Sequence, residues 1–337
     1  MKKQKQKPII LALFFGIFTI ILFGYIILFS NFIKNEDVLY VEQPKKINTI
    51  LNEINNKNII RSKVLFDLFV KFYEIKEVPI GRYHLKNGMG IYQIAKKLKY
   101  GRQDAVRFSI SNITTIYDIA SKVGVKFKVD SSEFINYVHS DAFKSKYDLD
   151  SFQILTHIFP YTYDIYWDAN PELIFQKIQT GYKTFWNPKN VAQLNKVNMD
   201  QKSLYILASM VQKEYTMKKE RARIAGVLLN RLKINMPLQV DATCKFARRD
   251  FGAKRVTQFH TCFNSPFNTY KNKGLPPGPI CIPEIGTLID CLNPENHNFL
   301  YYCADPSLNG YHIFSKDYTS HQKVAKGYYE KMNALAL

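Results

Sequence analysis

The run from Pro8 to Ile33 carries no charge, and four lysines, Lys2, Lys3, Lys5 and Lys7, stand directly before it. No other feature restricts the fold as strongly. A hydrocarbon core of about 30 Å is crossed by about 20 apolar residues at 1.5 Å rise each, and tilt absorbs a modest excess. A cleaved signal peptide has an apolar region of roughly 7 to 15 residues and a small-residue cleavage site, and neither is present. The run therefore reads as a retained transmembrane anchor over residues 8–33, with residues 1–7 as a cytoplasmic tail. Lys34, Glu36 and Asp37 follow the run, so the lysine-rich side stays in the cytoplasm. Everything beyond is expected in the periplasm or another extracytoplasmic space, on a single-pass protein of the cell (inner) membrane.

That compartment narrows the meaning of the charge. Lys and Arg number 47 against 28 Asp and Glu, a formal +19, which favours an anionic partner. Outside the cytoplasm, genomic DNA and cytoplasmic RNA are poor candidates, and a membrane surface or cell-wall polymer is a better one. A solvated lysine-rich surface explains the excess equally well. The 46% hydrophobic and 22% charged composition is globular, and 337 residues allow two domains. Five cysteines, Cys244, Cys262, Cys281, Cys291 and Cys303, lie in the last hundred residues. None has the spacing of a metal site. An oxidising compartment permits one or two disulfides, with Cys244 to Cys262 the first expectation, and the odd count leaves at least one thiol unpaired or intermolecular.

After the anchor, Val38 to Val41 reads as a strand, and Ile47 to Ile54 and Ser62 to Tyr73 as helices. Tyr92, Ile94, Ala95, Lys97 and Leu98 recur 25 residues later as Tyr117, Ile119, Ala120, Lys122 and Val123, each set behind a strand-like segment, Gly81 to Leu85 and Ala105 to Ile110. Two copies are too few for a solenoid, so a small α+β module over residues 34–104 is expected. Its strand-turn-helix units resemble LysM-like modules, and a plain spacer above the membrane is the alternative. Beyond it, Ser131 to Tyr147 and Pro171 to Trp186 have helical patterns, Pro171 suiting a first turn. Between them His157 to Tyr163 forms an aromatic loop that either packs in the core or stacks on sugar rings.

The most informative segment runs from Leu204 to Thr216. At 100° per residue, Leu207, Met210 and Val211 share a helix face with Glu214. Burial disfavours a charged carboxylate and raises its pKa, which suits a general acid. Pairing with Arg221 or Arg223 at a frayed helix end is the bland alternative. A second helix, Glu220 to Leu232, precedes a polar stretch, Met236 to Thr243. Ser265 to Tyr270 and the proline-rich Gly274 to Ile280 follow. Rigid irregular loops carrying Asn, Thr, Tyr and Gln suit a groove for a hydroxyl-rich and amide-rich ligand.

Leu207-Ala-Ser-Met-Val-Gln-Lys-Glu-Tyr-Thr216, the run from Ile224 through Asn230-Arg231-Leu232 to Gln239, Ser265 to Tyr270, Gly274 to Ile280, Leu292-Asn-Pro294 and His312-Ile-Phe-Ser315 occur in that order. In this set the chain resembles the YceG-like (MltG) endolytic murein transglycosylases, over essentially its whole length. The resemblance implies an α+β fold in three parts: the N-terminal transmembrane helix, the LysM-like module, and a mixed α+β catalytic domain over 105–337. Residues 105–200 would connect and 201–337 would form the catalytic core. It also implies a lytic transglycosylase cleaving the MurNAc-β-1,4-GlcNAc bond of nascent peptidoglycan strands, leaving 1,6-anhydroMurNAc ends, with no cofactor and no metal. Partners implied are the glycan strands, the cytoplasmic membrane and peptidoglycan synthases, with no nucleic acid.

By the same resemblance Glu214 is the catalytic acid, and Gln239, Asp241, Thr243, Asn268, Thr269 and Tyr270 bind sugar or orient Glu214. Three departures from the family pattern stand out. Gln212 replaces a common Glu, Tyr215 a common Thr, and Leu155, Thr156 and Tyr161 replace Glu, Gly and Asp in the aromatic loop. Two other readings remain open: a hydrolase using Glu214 with Asp241 as second carboxylate, and a non-catalytic wall-binding scaffold.

Overall fold

The computed structural model describes residues 6–253 and 255–335, with the side chains of residues 6–13 and 20 outside the description. Among the described residues helices outweigh strands and every sheet is a two-stranded ribbon, so the fold is mixed α+β. The chain forms two compact units. One is built on residues up to 107 with the short returns 126–128 and 164–170; the other takes 108–125, 129–163 and the chain from 171 onward.

The first unit contains α1 (Gln6–Phe29), β1 (Asp37–Val41), β2 (Lys45–Lys46), α2 (Ile47–Asn56), α3 (Lys63–Phe72), β3 (Glu77–Val78), β4 (Gly81–Leu85) and α4 (Ile91–Lys99). Strands β1 and β4 pair antiparallel with Leu39 opposite Tyr83, and alternation turns Leu39, Val41, Tyr83 and Leu85 into one core. Helix α2 adds Ile47, Ile50, Leu51 and Ile54, the spacing of a single buried stripe. Ser62, expected inside a helix, instead caps α3 by accepting a hydrogen bond from the Leu65 N–H. Helix α4 starts at Gly90, where a Cβ would meet the Leu28 carbonyl oxygen at 2.3 Å, so only glycine fits.

Helix α1 displays Phe14, Phe15, Ile17, Phe18, Ile21 and Phe23 as exposed side chains. Among the described residues no helix is long and apolar enough to cross a membrane. The expected tail and the side chains of the first part of the expected anchor fall largely outside the described residues.

The rest of the chain supplies β5 (Val106–Ser109), α5 (Ile116–Lys126), α6 (Ser131–Val138), α7 (Asp141–Tyr147), β6 (Thr162–Ile165), α8 (Pro171–Phe185), α9 (Pro188–Val197), α10 (Gln201–Glu214), α11 (Arg221–Lys233), α12 (Asp241–Arg248), α13 (Gln258–Thr261), α14 (Ile285–Leu292), β7 (Tyr301–Ala304), β8 (His312–Ser315) and α15 (Tyr318–Ala334). The single helix expected over Ser131 to Tyr147 is two, because extended Ser140 caps α7 through its Oγ. Met236 to Thr243 is not wholly irregular either, since Asp241 opens α12.

Helix α10 is the axis of the second unit. Asp200 caps its start, and every residue from Leu204 to Val211 is buried, against α11, α12 and α14. The aromatic loop belongs to this core. Phe159 packs edge-on to Tyr205 and stacks on Phe185, while the Tyr205 hydroxyl donates to the Ile158 carbonyl.

The cysteines correct one expectation. All five are free thiols. Cys244 faces inward from α12 and donates to Asn268 Oδ1 at 3.2 Å, whereas Cys262 is exposed, so no Cys244 to Cys262 bridge forms.

Candidate active site

Glu214 is the last residue of α10, where the helix runs out of its buried stretch. Its residue surface is half-buried, but its carboxyl end is enclosed by protein groups. The Tyr302 hydroxyl donates to Glu214 Oε2 at 2.9 Å, and the Ala242 backbone N–H, in the first turn of α12, donates to the same carboxyl. Burial raises the Glu214 pKa above the usual carboxylate range, and the negative charge of Asp241 raises it further. The Tyr302 and Ala242 hydrogen bonds and the neighbouring His312 act in the opposite direction. A carboxyl so balanced holds a proton more readily than a surface glutamate and still has donors ready for its anion.

The hairpin of β7 and β8 delivers two of these neighbours. Its register sets Ala304 opposite His312 and Tyr302 opposite Phe314, so Tyr302 and His312 are diagonal neighbours on one face, with rings 5.5 Å apart. His312 is fixed from behind: its backbone N–H and Nδ1 meet the two oxygens of buried Glu220 at 2.9 and 2.8 Å. Buried Arg231 joins the site's supports, donating from Nε to the Leu300 carbonyl at 2.6 Å and from Nη1 to that of Leu238 at 2.8 Å. One guanidinium thus ties α11 to the segments ahead of Tyr302 and of Asp241.

The site residues expected from the sequence fall into two groups. Asp241 is exposed, and its Oδ1 accepts from the Tyr270 hydroxyl at 2.6 Å. Burial, then Asp241, raises the Tyr270 pKa. Gln239 is exposed with a left-handed φ of 50°, its N–H bonded to the Thr269 carbonyl. These three reach solvent or the Glu214 surroundings.

Thr243, Asn268 and Thr269 are fully buried and occupied with one another and with backbone. Thr243 Oγ1 lies 2.8 Å from Thr269 Oγ1. Asn268 Nδ2 donates to the Phe263 and Thr261 carbonyls at 2.7 and 2.9 Å, and its Oδ1 accepts from Tyr270 N–H and Cys244. Sugar contact, orientation of Glu214 and a purely structural role are all open for these three in the sequence, and their burial favours the last two over sugar contact.

Gln212 lies off the acid site. Its Oε1 accepts from Glu284 N–H and Thr287 Oγ1, at 2.9 and 2.6 Å, and its Nε2 donates to the Tyr215 hydroxyl at 3.1 Å. The two departures at 212 and 215 thus meet in one hydrogen bond. Leu155 and Thr156 are buried.

Sequence reasoning missed Tyr302 and Glu220. Tyr302 is one of 22 tyrosines and sits 88 residues from Glu214, with no local pattern to mark it. Arg231 and His312 stood within quoted motifs but had no assigned task.

The model of the YceG-like family matches residues 39–327. An endolytic murein transglycosylase of Bacillus subtilis is 29% identical over 312 residues, covering 85% of this chain and 83% of the relative. One from Streptococcus pneumoniae is 24% identical over 323 residues, and the match spans 58% of that longer protein. Among solved structures, a crystal structure of a yceG-like protein of Listeria monocytogenes aligns with a TM-score of 0.56 at 26% identity, covering 86% of this chain and 99% of its own.

Proposed function

We propose, from the premise that this chain belongs to the YceG-like family, that it is a membrane-anchored lytic transglycosylase cutting peptidoglycan glycan strands at the MurNAc-β-1,4-GlcNAc bond. The observation that carries the reading is the Glu214 carboxyl, raised by burial and by Asp241 yet supplied with two donors for its charged form. Protonated Glu214 gives its proton to the glycosidic oxygen as the C1–O bond breaks. The muramyl C6 oxygen then bonds to C1, and its proton returns to the Glu214 carboxylate. The ring closes as 1,6-anhydroMurNAc and no water is consumed, so one carboxyl serves both steps. Tyr302 and the Ala242 N–H stabilise the carboxylate between the two transfers.

Asp241 has a task in this scheme without being a second catalytic carboxylate. Exposed and tied to Tyr270, it acts through its charge to keep Glu214 protonated. Gln239 and Tyr270 are assigned to sugar, and Thr243, Asn268 and Thr269 to holding the loop that carries them. The charge-free run from Pro8 to Ile33 and the exposed aromatic side chains of α1 support an anchor, with residues 1–7 cytoplasmic and the enzyme outside. The small unit beyond it is assigned to wall binding in the manner of a LysM-like module. Nascent strands, reached close to the membrane and to their synthases, are the natural substrate of such an arrangement.

The test is Asp241→Asn on purified protein with peptidoglycan strands. Retained cleavage with anhydro ends supports the one-carboxylate scheme, and abolished cleavage supports a hydrolase that needs both carboxylates.

A further inference from the structure

Helix α12 begins at the Glu214 carboxyl, through the Ala242 N–H, and ends at a separate cavity of about 740 Å³. That cavity is lined by Tyr117, Phe152, Phe246, Phe251 and Phe267, and by Arg249. Tyr117, Phe152 and Phe251 are each about half exposed, although Phe152 and Phe246 also pack on Phe267 at 5.4 and 4.9 Å. The wall is rigid behind them: a Cβ on Gly278 would meet the Phe152 carbonyl oxygen at 2.0 Å, so the proline-rich loop closes directly on it.

Arg249 is unusual in two independent ways. It caps α12 in the left-handed conformation, φ 58°, where glycine or asparagine is the ordinary residue. Among the described residues its side chain has neither a hydrogen-bond nor an ion-pair partner, whereas its neighbour Arg248 stacks on Phe259 and Phe263. An uncommitted cation beside exposed aromatic faces matches a ligand that alternates small apolar groups with carboxylates.

We propose that this cavity binds the peptide stem of the glycan strand, methyl groups against the aromatic rings and a carboxylate on Arg249. The inference rests on the reading of the chain as a peptidoglycan-cleaving enzyme and adds a substrate determinant to it. The distance fits. From Ala242 to Arg249 the helix climbs about 10 Å at 1.5 Å per residue, which two or three extended peptide residues of about 3.5 Å each span. A stem leaving a muramyl ring held at Glu214 is therefore long enough to cover the rise to Arg249.

The experiment compares full-length protein in detergent on two substrates, glycan strands with their peptides and the same strands stripped by an amidase. Wild type is expected to show a KM about 10-fold lower on peptide-bearing strands, the scale of one charge-assisted hydrogen bond. Arg249→Gly removes the cation and relieves the left-handed residue, so it folds at least as well; it should erase the difference and leave kcat unchanged. Arg249→Lys should keep part of it. Equal KM values for wild type, or a preference that survives in Arg249→Gly, would overturn the proposal.

Should neither substrate be cleaved, the enzymatic reading fails while the site is still decided by calorimetric titration with a synthetic L-alanyl-γ-D-glutamyl tripeptide. Binding about 10-fold weaker in Arg249→Gly than in wild type upholds the site, and absent or equal binding removes it.

Discussion

Acidification should destabilise the second unit through His157 by an amount the structure sets. The imidazole is buried, stacked on the Tyr182 ring at 4.2 Å, with Thr156 Oγ1 3.1 Å from Nδ1. Burial first, and the positive charge of Lys202 second, lower its pKa to about 4, from an ordinary 6.5. Because the folded value is depressed, the unfolded chain takes up the proton first, and stability falls as pH drops from about 6.5 towards 4. At full protonation the loss is roughly 3 kcal/mol, and between pH 7 and pH 5 it is about 2 kcal/mol. Urea unfolding at those two pH values, in wild type and in His157→Gln, isolates this share from the carboxylates that titrate alongside it. The wild type should lose about 2 kcal/mol more than the variant over the interval; equal losses would refute the argument.

The balance at Glu214 makes opposite predictions for two neighbours. The kcat/KM profile should fall at the alkaline side as Glu214 loses its proton. Tyr302→Phe removes a donor to the carboxylate and should move that limb to higher pH, whereas Asp241→Asn removes a repelling charge and should move it lower; shifts in the same direction would contradict the assigned electrostatics. Leu207→Ala, in the fully buried stretch of α10, should cost about 2–5 kcal/mol in chemical unfolding, and a loss below about 1 kcal/mol would mean that this helix is not the core's axis.

Much of the local structure was legible because its signals are local. The stripe Ile47, Ile50, Leu51, Ile54 and the alternation of Gly81 to Leu85 each follow a single period. Glu214 could be found because helical spacing alone set its carboxylate beside Leu207 and Val211. Only the first turn of α12, residues 241–243, falls within the stretch expected to be polar and irregular, and with Asp241 and Thr243 in that turn it carries no apolar stripe to mark a helix.

The returns at 126–128 and 164–170 depend on long-range contacts, as does the approach of Tyr302 to Glu214. The register of the β7–β8 hairpin, which makes neighbours of Tyr302 and His312, is fixed by tertiary packing. The same packing buried Thr243, Asn268 and Thr269, polar residues that in sequence look as available to sugar as Gln239.

Product mass analysis tests the central claim most directly. Purified wild type should release fragments ending in 1,6-anhydroMurNAc, roughly 18 Da lighter than hydrolytic ends because water is not consumed, and Glu214→Gln, still folded, should lose cleavage by about 10²-fold or more. Reducing ends from the wild type, or undiminished cleavage by Glu214→Gln, would contradict the account.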